Sequence, residues 1–154
     1  MRNPAIDFDG QLSTTYTSRV CAEHLAELER VSHTPCLFQE YVPKDVEIRV
    51  NVIGDVVLSA EIHSQEMETT RVDWRYYHPD MTYAIHQLPL PVEDGCRSIV
   101  RLYGLNFAAI DLIRRPDGGY TFLELNPNGQ WSWIEQATGL PIAETLAQFL
   151  DSSG

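Results

Sequence analysis

Apolar and polar residues alternate strictly along residues 46–52, and this alternation predicts a β-strand with one buried face. Every second residue from Val46 is aliphatic, whereas Glu47, Arg49 and Asn51 fill the positions between. Side chains alternate between the two faces of a strand, so these three polar residues share a face. Gly54-Asp55 then predicts a turn into a second strand over residues 56–63, which completes a hairpin.

A second hairpin is predicted by two β-prone runs, residues 107–113 and 120–125, with an Arg-Pro-Asp-Gly-Gly turn signal between them. Centring the turn between Asp117 and Gly118 places Asp111 directly opposite Glu124, with Asn126 on the same face. Two facing carboxylates repel each other unless a cation lies between them. Aspartate, glutamate and asparagine oxygens are ligands that Mg²⁺ prefers, usually together with phosphate oxygens. The pattern therefore predicts a site for metal-bound nucleotide phosphates.

The remaining periodicities predict an α+β fold, an antiparallel β-sheet flanked by helices, which we expect on one face. Further strands are expected over residues 36–42 and 83–88. Amphipathic spacing predicts helices over residues 18–31, 92–103, 131–138 and 141–150. Residues 1–16 are polar and irregular and suggest a connecting strand or loop. The opposite face of the sheet is expected to be polar and to carry Glu47, Arg49, Asp111, Glu124 and Asn126.

The charge balance excludes several partner classes. A formal net charge of −11 and a pI near 4.7 argue against nucleic acid and against an anionic membrane surface as partners. No apolar run approaches the length of a membrane span. Cys21, Cys36 and Cys96 are widely spaced and show no zinc-ligand spacing, so we expect free thiols in the cytoplasm.

Five short motifs occur in the order found in ATP-grasp ligases, and the chain resembles the C-terminal half of that superfamily. They are Gln-Glu-Tyr-Val-Pro at 39–43, Glu-Ile-Arg-Val at 47–50, Asp-Trp-Arg at 73–75, Gly-Leu-Asn-Phe-Ala-Ala-Ile-Asp at 104–111 and Leu-Glu-Leu-Asn-Pro-Asn-Gly-Gln-Trp at 123–131. Asp-Trp-Arg, Asn-Pro-Asn-Gly-Gln-Trp and the Trp-Ile-Glu-Gln-Ala-Thr-Gly run at 133–139 look most like microviridin-type (graspetide) maturases of ribosomal peptides. Those enzymes are similar to ribosomal-protein glutamate ligases.

The resemblance implies an ATP- and Mg²⁺-dependent ligase that phosphorylates a peptide carboxylate, after which a hydroxyl or amine displaces phosphate from the acyl phosphate. It also implies roles for particular residues. The implied Mg²⁺ ligands are Asp111, Glu124 and Asn126; the adenine contacts are Gln39, Glu40 and Val42; the ribose acceptor is Glu47; the contacts to the reacting phosphate or carboxylate are Arg49 and Arg75.

Each assignment has a simpler structural alternative. The two carboxylates would then be separate solvated positions on an edge hairpin, Glu47 a surface strand residue, and Arg49 the partner of a salt bridge to Glu47 or to a neighbouring strand. Lys44 is expected to be solvated in its turn. His63 and His86 are candidates for a general base, although a lone strand histidine is more often packed or exposed. Two tryptophans, Trp131 and Trp133, are expected to pack a helix start against the sheet.

The chain divides, on this interpretation, into an N-terminal segment over 1–35 and a C-terminal ATP-grasp subdomain over 36–154. The lysines that the first ATP-grasp subdomain supplies have no counterpart here, because Lys44 is the only lysine. The resemblance implies a precursor peptide as a partner. Because the lysines of the first subdomain are missing, we also expect the missing N-terminal half or a homologous chain as a partner, and possible homo-oligomers. The alternatives are a non-catalytic nucleotide- or peptide-binding module and an amino-acid ligase for small molecules. Glutamate addition is disfavoured because Tyr76-Tyr77 stand where those relatives have Ser-Asn.

Overall fold

A computed structural model describes residues 5–6, 12–13, 16–33, 35–76 and 79–152 of the chain. The strands in these ranges are β1 Ala5–Ile6, β2 Leu12–Ser13, β3 Val46–Ile53, β4 Val56–Ile62, β5 Tyr83–His86, β6 Phe107–Arg114 and β7 Tyr120–Asn126. The α-helices are α1 Ala22–Ala26, α2 Leu90–Leu102, α3 Ser132–Thr138 and α4 Ile142–Ser152. No helix in the described ranges has both the length and the apolar character needed to cross a membrane.

Five strands form one antiparallel sheet in the order β5-β4-β3-β6-β7, and β1 pairs separately with β2. The central strand β3 is buried along its whole length, because β4 and β6 flank it and helices cover it. The predicted α+β fold, an antiparallel sheet flanked by helices, is confirmed. Both predicted hairpins are present as β3–β4 and β6–β7.

The sheet carries helices on both faces, so the prediction of helices on one face only is wrong. One face, defined by Val46, Ile48, Val50 and Val52 of β3, packs against α2. The opposite face has Ile53 and its neighbours packed against α3 and α4. That second core contains Ile53, Ala60, Ile134, Leu140 and Ile142. The polar residues predicted for this face lie on it, and Glu47 and Arg49 among them are buried.

The β6–β7 hairpin has the predicted pairing at Asp111, although its turn is not centred at the predicted point. Asp111 pairs with Glu124, as expected. Near the turn, however, Arg114 pairs with Tyr120 and Leu112 with Phe122. The turn is therefore centred on Asp117 and not between Asp117 and Gly118. A β-bulge that contains Leu123 as the extra residue restores the predicted pairing at Asp111.

Two segments near the N-terminus differ from the predictions. Residues 36–42 form no strand, because they find no pairing partner in the described sheet. The predicted helix over 18–31 is reduced to the five-residue α1 followed by a 3₁₀ segment, Leu28–His33. Its apolar positions Val20, Leu25 and Leu28 are more than half exposed, so among the residues that the structure describes they gain little of the packing that would stabilise a longer helix.

A polar bridge links the two edge strands across the face that α2 covers. His86 of β5 binds Glu61 Oε1 through Nδ1 at 2.7 Å and the Tyr120 hydroxyl of β7 through Nε2 at 2.8 Å. Four strand spacings in a flat sheet would separate β5 and β7 by about 19 Å. The direct contact between their side chains therefore requires a strongly coiled sheet.

Candidate functional site

Asp111 lies at the centre of a charged cluster that three neighbouring strands build. It pairs in register with Arg49 of β3 on one side and with Glu124 of β7 on the other. Arg49 Nη1 donates to Asp111 Oδ1 at 2.7 Å, and both side chains are largely buried. Antiparallel pairing places all three side chains on one face of the sheet. The predicted convergence of Asp111 and Glu124 is confirmed.

The pKa of Glu124 is raised from its usual value by partial burial and by the charge and hydrogen bonding of Asp111. Arg75 and Arg49 act in the opposite direction and lower that pKa. The two carboxylates are therefore close enough to repel, and the arginines compensate this repulsion only in part. A cation between the carboxylate oxygens would favour the charged form of Glu124.

The loop after β7 is folded tightly onto the sheet beside this cluster. Asn126 Oδ1 accepts a hydrogen bond from the Asn128 backbone N–H at 2.9 Å. Gly129 is buried so closely above Ala109 that a Cβ placed on it would lie 2.2 Å from the Ala109 methyl carbon. The carbonyl oxygen of Gln130 accepts a hydrogen bond from Arg49 Nη2 at 3.1 Å. Arg49 thus ties this loop to Asp111.

Arg75 is held in place by Asp73 of the same motif. Its Nε and Nη2 donate to the two oxygens of Asp73 at 2.8 and 2.7 Å, and Thr17 N–H donates to Asp73 Oδ2 at 2.9 Å. Burial raises the pKa of Asp73, but these hydrogen bonds outweigh burial and hold the pKa below its usual value. The pKa of Arg75 is raised, first by the Asp73 hydrogen bond and also by the charges of Glu124 and Asp111. Arg75 therefore lies within electrostatic reach of the paired carboxylates.

Lys44 is buried, so the expectation that it is solvated is wrong. Its ammonium group donates to Glu47 Oε1 and, at 3.0 Å, to the carbonyl oxygen of Val72. The Lys44 side chain is only 4% exposed and that of Glu47 8%. Burial raises the pKa of Glu47, whereas the charge of Lys44 and its hydrogen bond lower it. Glu47 is therefore an internal ion-pair partner rather than the surface residue of the simpler alternative, and the buried Glu47 Oε2 has no hydrogen bond within the described residues.

The segment predicted to contact adenine, residues 39–42, belongs to no strand or helix that would place it beside the charged cluster. Gln39 and Glu40 are exposed and Val42 is half-buried, in a stretch that pairs with no described strand. Their roles stay predictions, as does the ribose contact of Glu47. Asn51 shares the face of Arg49 but is completely buried, and its amide atoms have no hydrogen bond within the described part of the chain.

The remaining candidates lie in packed positions. His86 lies on the sheet face opposite Asp111, and Glu61 and Tyr120 occupy both of its ring nitrogens. His63 Nε2 lies 3.3 Å from Glu61 Oε2. The prediction that Trp131 and Trp133 pack against the sheet is confirmed, because both border the second core.

The donor set fits a hard divalent cation, although its third member is an amide. Among the residues that the structure describes, no three His, Cys, Asp or Glu side chains are placed to hold a metal ion. Asp111 and Glu124 supply two carboxylates that repel without a cation, and Asn126 follows Glu124 on the same face of β7. Oxygen donors of this kind suit Mg²⁺ that is shared with phosphate oxygens.

The residues that hold the two arginines in place have no direct signal in the sequence. Asp73 stands out only as part of the Asp-Trp-Arg motif, and the Gln130 contact uses a backbone carbonyl, which has no sequence signature. Lys44 carried one available signal: it is the only lysine in an arginine-rich set and lies three residues before Glu47.

The similarities of this chain to known proteins agree with the site described above. No family model matches the chain. It is 27% identical over 139 residues to a probable alpha-L-glutamate ligase 1 of Shewanella frigidimarina and 31% identical over 135 residues to a probable alpha-L-glutamate ligase of Alkalilimnicola ehrlichii. The alignments cover 88% and 86% of this chain but 44% and 43% of the relatives. The chain therefore spans less than half the length of these curated relatives.

Solved structures give a stronger match. A RiPP-associated ATP-grasp ligase of Chryseobacterium gregarium, in complex with ADP and a leader and core peptide, superposes with a TM-score of 0.86 at 28% identity, over 97% of this chain and 46% of that one. The macrocyclase MdnC of Microcystis aeruginosa, bound to precursor peptide MdnA, gives 0.83 at 32% identity, over 100% and 48%. The ATP-grasp ligase PsnB, complexed with a precursor variant, Mg and ADP, gives 0.71 at 27% identity, over 88% and 43%.

The fold and the order of its motifs define an ATP-grasp protein. This chain belongs to the ATP-grasp ligase superfamily and corresponds to the C-terminal half of its members. Its similar solved structures are ligases of ribosomal peptides, and its curated relatives are glutamate ligases. The resemblance inferred from the five motifs is confirmed.

Proposed function

We propose that this chain is the C-terminal portion of an ATP-dependent ligase that joins a peptide carboxylate to an alcohol or amine through an acyl phosphate. The observation that carries the proposal is the pairing of Asp111 with Glu124 beside Arg49 and Arg75. It places two carboxylates and the Arg49 guanidinium group on one sheet face, within electrostatic reach of Arg75. The similarity to peptide-bound ATP-grasp ligases supports the choice of a peptide substrate.

The residues take separate tasks in this reaction. Asp111, Glu124 and Asn126 would hold Mg²⁺, which would neutralise phosphate charge and act as a Lewis acid. Gln39, Glu40 and Val42 line the adenine, and Glu47, which is ion-paired with Lys44, accepts hydrogen bonds from the ribose. The substrate carboxylate attacks the γ-phosphorus and ADP leaves. The hydroxyl or amine then attacks the acyl carbon, the bond from that carbon to the phosphate oxygen breaks, and inorganic phosphate leaves with the proton that the nucleophile loses.

Arg49 and Arg75 stabilise the negative charge that develops in both steps. Fixed cationic donors lower a barrier most when they need no rearrangement during the reaction. Asp73 holds Arg75 with two hydrogen bonds, and Asp111 together with the Gln130 carbonyl holds Arg49. Arg75 remains 55% exposed, so its guanidinium group is accessible to a substrate while its orientation is set.

Calorimetric titration with Mg·ATP tests the metal assignment. Wild type, Glu124→Gln and a matched control, Glu144→Gln on the exposed side of α4, are compared with and without Mg²⁺. We expect Glu124→Gln to weaken binding only when Mg²⁺ is present and Glu144→Gln to bind like wild type. Equal heats from wild type and Glu124→Gln would reject Glu124 as a metal ligand.

A second candidate function is a non-catalytic nucleotide- or peptide-binding module. It is favoured by Lys44, the only lysine in the sequence, which is buried against Glu47 and Val72 and so cannot reach a phosphate. Binding of Mg·ATP without release of ADP in the presence of carboxylate-bearing peptides would support this alternative. Release of ADP with free glutamate or another amino acid would instead support a small-molecule ligase related to the glutamate ligases.

A further inference from the structure

Two tryptophans from distant parts of the sequence stack beside the candidate site. The rings of Trp74 and Trp133 lie 4.9 Å apart between centroids, with an interplanar angle of 27°. Tyr83 meets Trp133 edge-on at 5.7 Å. Trp74 lies between Asp73 and Arg75, in a segment without strand pairing. Since that segment has no sheet partner, the stack with α3 is one of the contacts that fix its position.

The indole of Trp133 is also linked to Arg49, through a hydrogen-bond acceptor that the two side chains share. Trp133 Nε1–H donates to the Gln130 carbonyl oxygen at 3.2 Å. The same oxygen accepts the hydrogen bond from Arg49 Nη2 at 3.1 Å. Trp133 therefore orients the carbonyl group that fixes one end of the Arg49 guanidinium, while Asp111 fixes the other end.

We propose that Trp133 is a positioning residue that fixes both arginines of the site, Arg49 through the Gln130 carbonyl and Arg75 through the stack with Trp74. The inference rests on the proposed function for its consequence in binding, but the positioning itself is a property of the free protein. The two effects of Trp133 use different parts of its side chain, and we call them the two branches of the proposal. The indole N–H acts on Arg49, and the aromatic face acts on Arg75.

Two substitutions separate the branches. Trp133→Phe keeps an aromatic ring against Trp74 and removes the N–H donor, whereas Trp133→Leu removes both. Trp131→Phe is the matched control, because Trp131 lies two residues away and borders the same core. Guanidinium NMR signals of Arg49 and Arg75, which report hindered rotation about the Cζ–Nη bonds, are recorded for each variant. Thermal unfolding monitors the fold.

We expect Trp133→Phe to speed rotation at Arg49 and to leave Arg75 unchanged, and Trp133→Leu to speed rotation at both. Trp131→Phe should change neither. Unchanged arginine signals in Trp133→Leu, or equal changes in Trp133→Leu and Trp131→Phe, would overturn the proposal. Arg75 signals that change in Trp133→Phe as much as in Trp133→Leu would overturn the separation into two branches.

Binding is measured on the same variants with Mg·AMPPNP. Loss of a supporting partner of this type lowers affinity by about tenfold. We expect this drop for Trp133→Leu, a smaller drop for Trp133→Phe, and none for Trp131→Phe. If wild type binds no Mg·AMPPNP, the proposed function fails and the NMR result alone decides the positioning. If wild type and Trp133→Leu bind equally, the consequence of the positioning for binding is overturned and the proposed function stands.

Discussion

Arg49 and Asp111 face each other on adjacent antiparallel strands, and their side chains form a 2.7 Å ion pair that is almost closed to solvent. This pair changes the electrostatics expected for two facing carboxylates. The sequence suggested that Asp111 and Glu124 need a cation between them. The protein supplies part of that charge itself, through Arg49 on one side and Arg75 nearby, yet the pKa of Glu124 remains raised.

Asp111→Asn is expected to destabilise the fold, because it leaves the buried guanidinium of Arg49 without its counter-charge. Breaking a buried ion pair on one side costs about 3 kcal/mol. The free energy of unfolding in urea measures this loss. Glu124→Gln is the control: it relieves repulsion against Asp111 and leaves Arg49 paired, so we expect no loss of stability. An Asp111→Asn variant as stable as wild type would contradict the structural role of the pair.

Lys44→Met is expected to destabilise the protein in a pH-dependent way. Burial raises the pKa of Glu47, and Lys44 opposes this effect, so removing Lys44 raises the pKa further. A folded-state carboxyl with a raised pKa binds more protons than the unfolded chain, so stability falls as the pH rises through that pKa. We expect a small deficit at about pH 4 and about 3 kcal/mol at about pH 7.

The double variant Lys44→Met/Glu47→Gln checks this explanation. It removes both charges, so its stability relative to wild type should vary less with pH between the same limits than that of Lys44→Met. Urea unfolding at a series of pH values measures both variants. A Lys44→Met deficit that is independent of pH would show that lost packing, and not the uncompensated Glu47 carboxylate, is responsible.

Gly129→Ala is expected to displace the loop that follows β7. The added methyl group would lie 2.2 Å from the Ala109 methyl carbon and 3.2 Å from Arg49 Nη2, so backbone or sheet has to move. Overpacking of this kind costs about 1–3 kcal/mol. In Gly95→Ala, by contrast, the new methyl group meets nothing within 4 Å on helix α2.

Opposite signs are therefore expected for the two glycine substitutions. Gly95→Ala should stabilise the protein by about 0.5–1 kcal/mol, because alanine favours the helix over the unfolded chain. Thermal unfolding measures both variants side by side. If Gly129→Ala were neutral, the close approach of the loop to β6 would not be required for folding.

Tyr120→Phe is expected to weaken the bridge between the two edge strands. It removes the hydroxyl group that binds His86 Nε2 at 2.8 Å and leaves that largely buried nitrogen without a partner. Loss of such a hydrogen bond costs about 1 kcal/mol. Amide hydrogen exchange in β5 and β7 should accelerate more than in β3. Tyr103→Phe, at an exposed position after α2, is the control and should change neither quantity.

The placement of the candidate residues in the sheet could be predicted from sequence where local rules govern it. Alternation along β3 assigned Glu47 and Arg49 to one face, and a turn signal with two β-prone runs was enough to pair Asp111 with Glu124. The agreement at Asp111 depended on a feature that the sequence rules did not foresee. The β-bulge at Leu123 compensates for a turn that is centred elsewhere, and a bulge depends on sheet twist and packing rather than on turn residues.

The predictions near the N-terminus failed because short elements need long-range partners. Residues 36–42 have strand propensity but no neighbouring strand within the described residues, and residues 18–31 have helical periodicity, but their apolar positions Val20, Leu25 and Leu28 are exposed. Propensity supplies only a small free energy per residue, and tertiary packing supplies most of the stability of such elements. The position of α3 and α4 on the second face also depends on tertiary packing. Amphipathic spacing shows that a helix packs against the sheet, but it does not show which face of the sheet the helix covers.

The sequence by itself determined the two antiparallel hairpins, the shared sheet face of Glu47 and Arg49, and the resemblance to ATP-grasp ligases, because alternation, turn chemistry and the order of short motifs can be read along the chain. Only the tertiary structure decided the β-bulge that pairs Asp111 with Glu124, the burial of Lys44 against Glu47 and Val72, the ion pair of Arg49 with Asp111, and the stack of Trp133 on Trp74. These features depend on sheet twist and on packing between elements, and their energies depend on burial that only the folded chain creates.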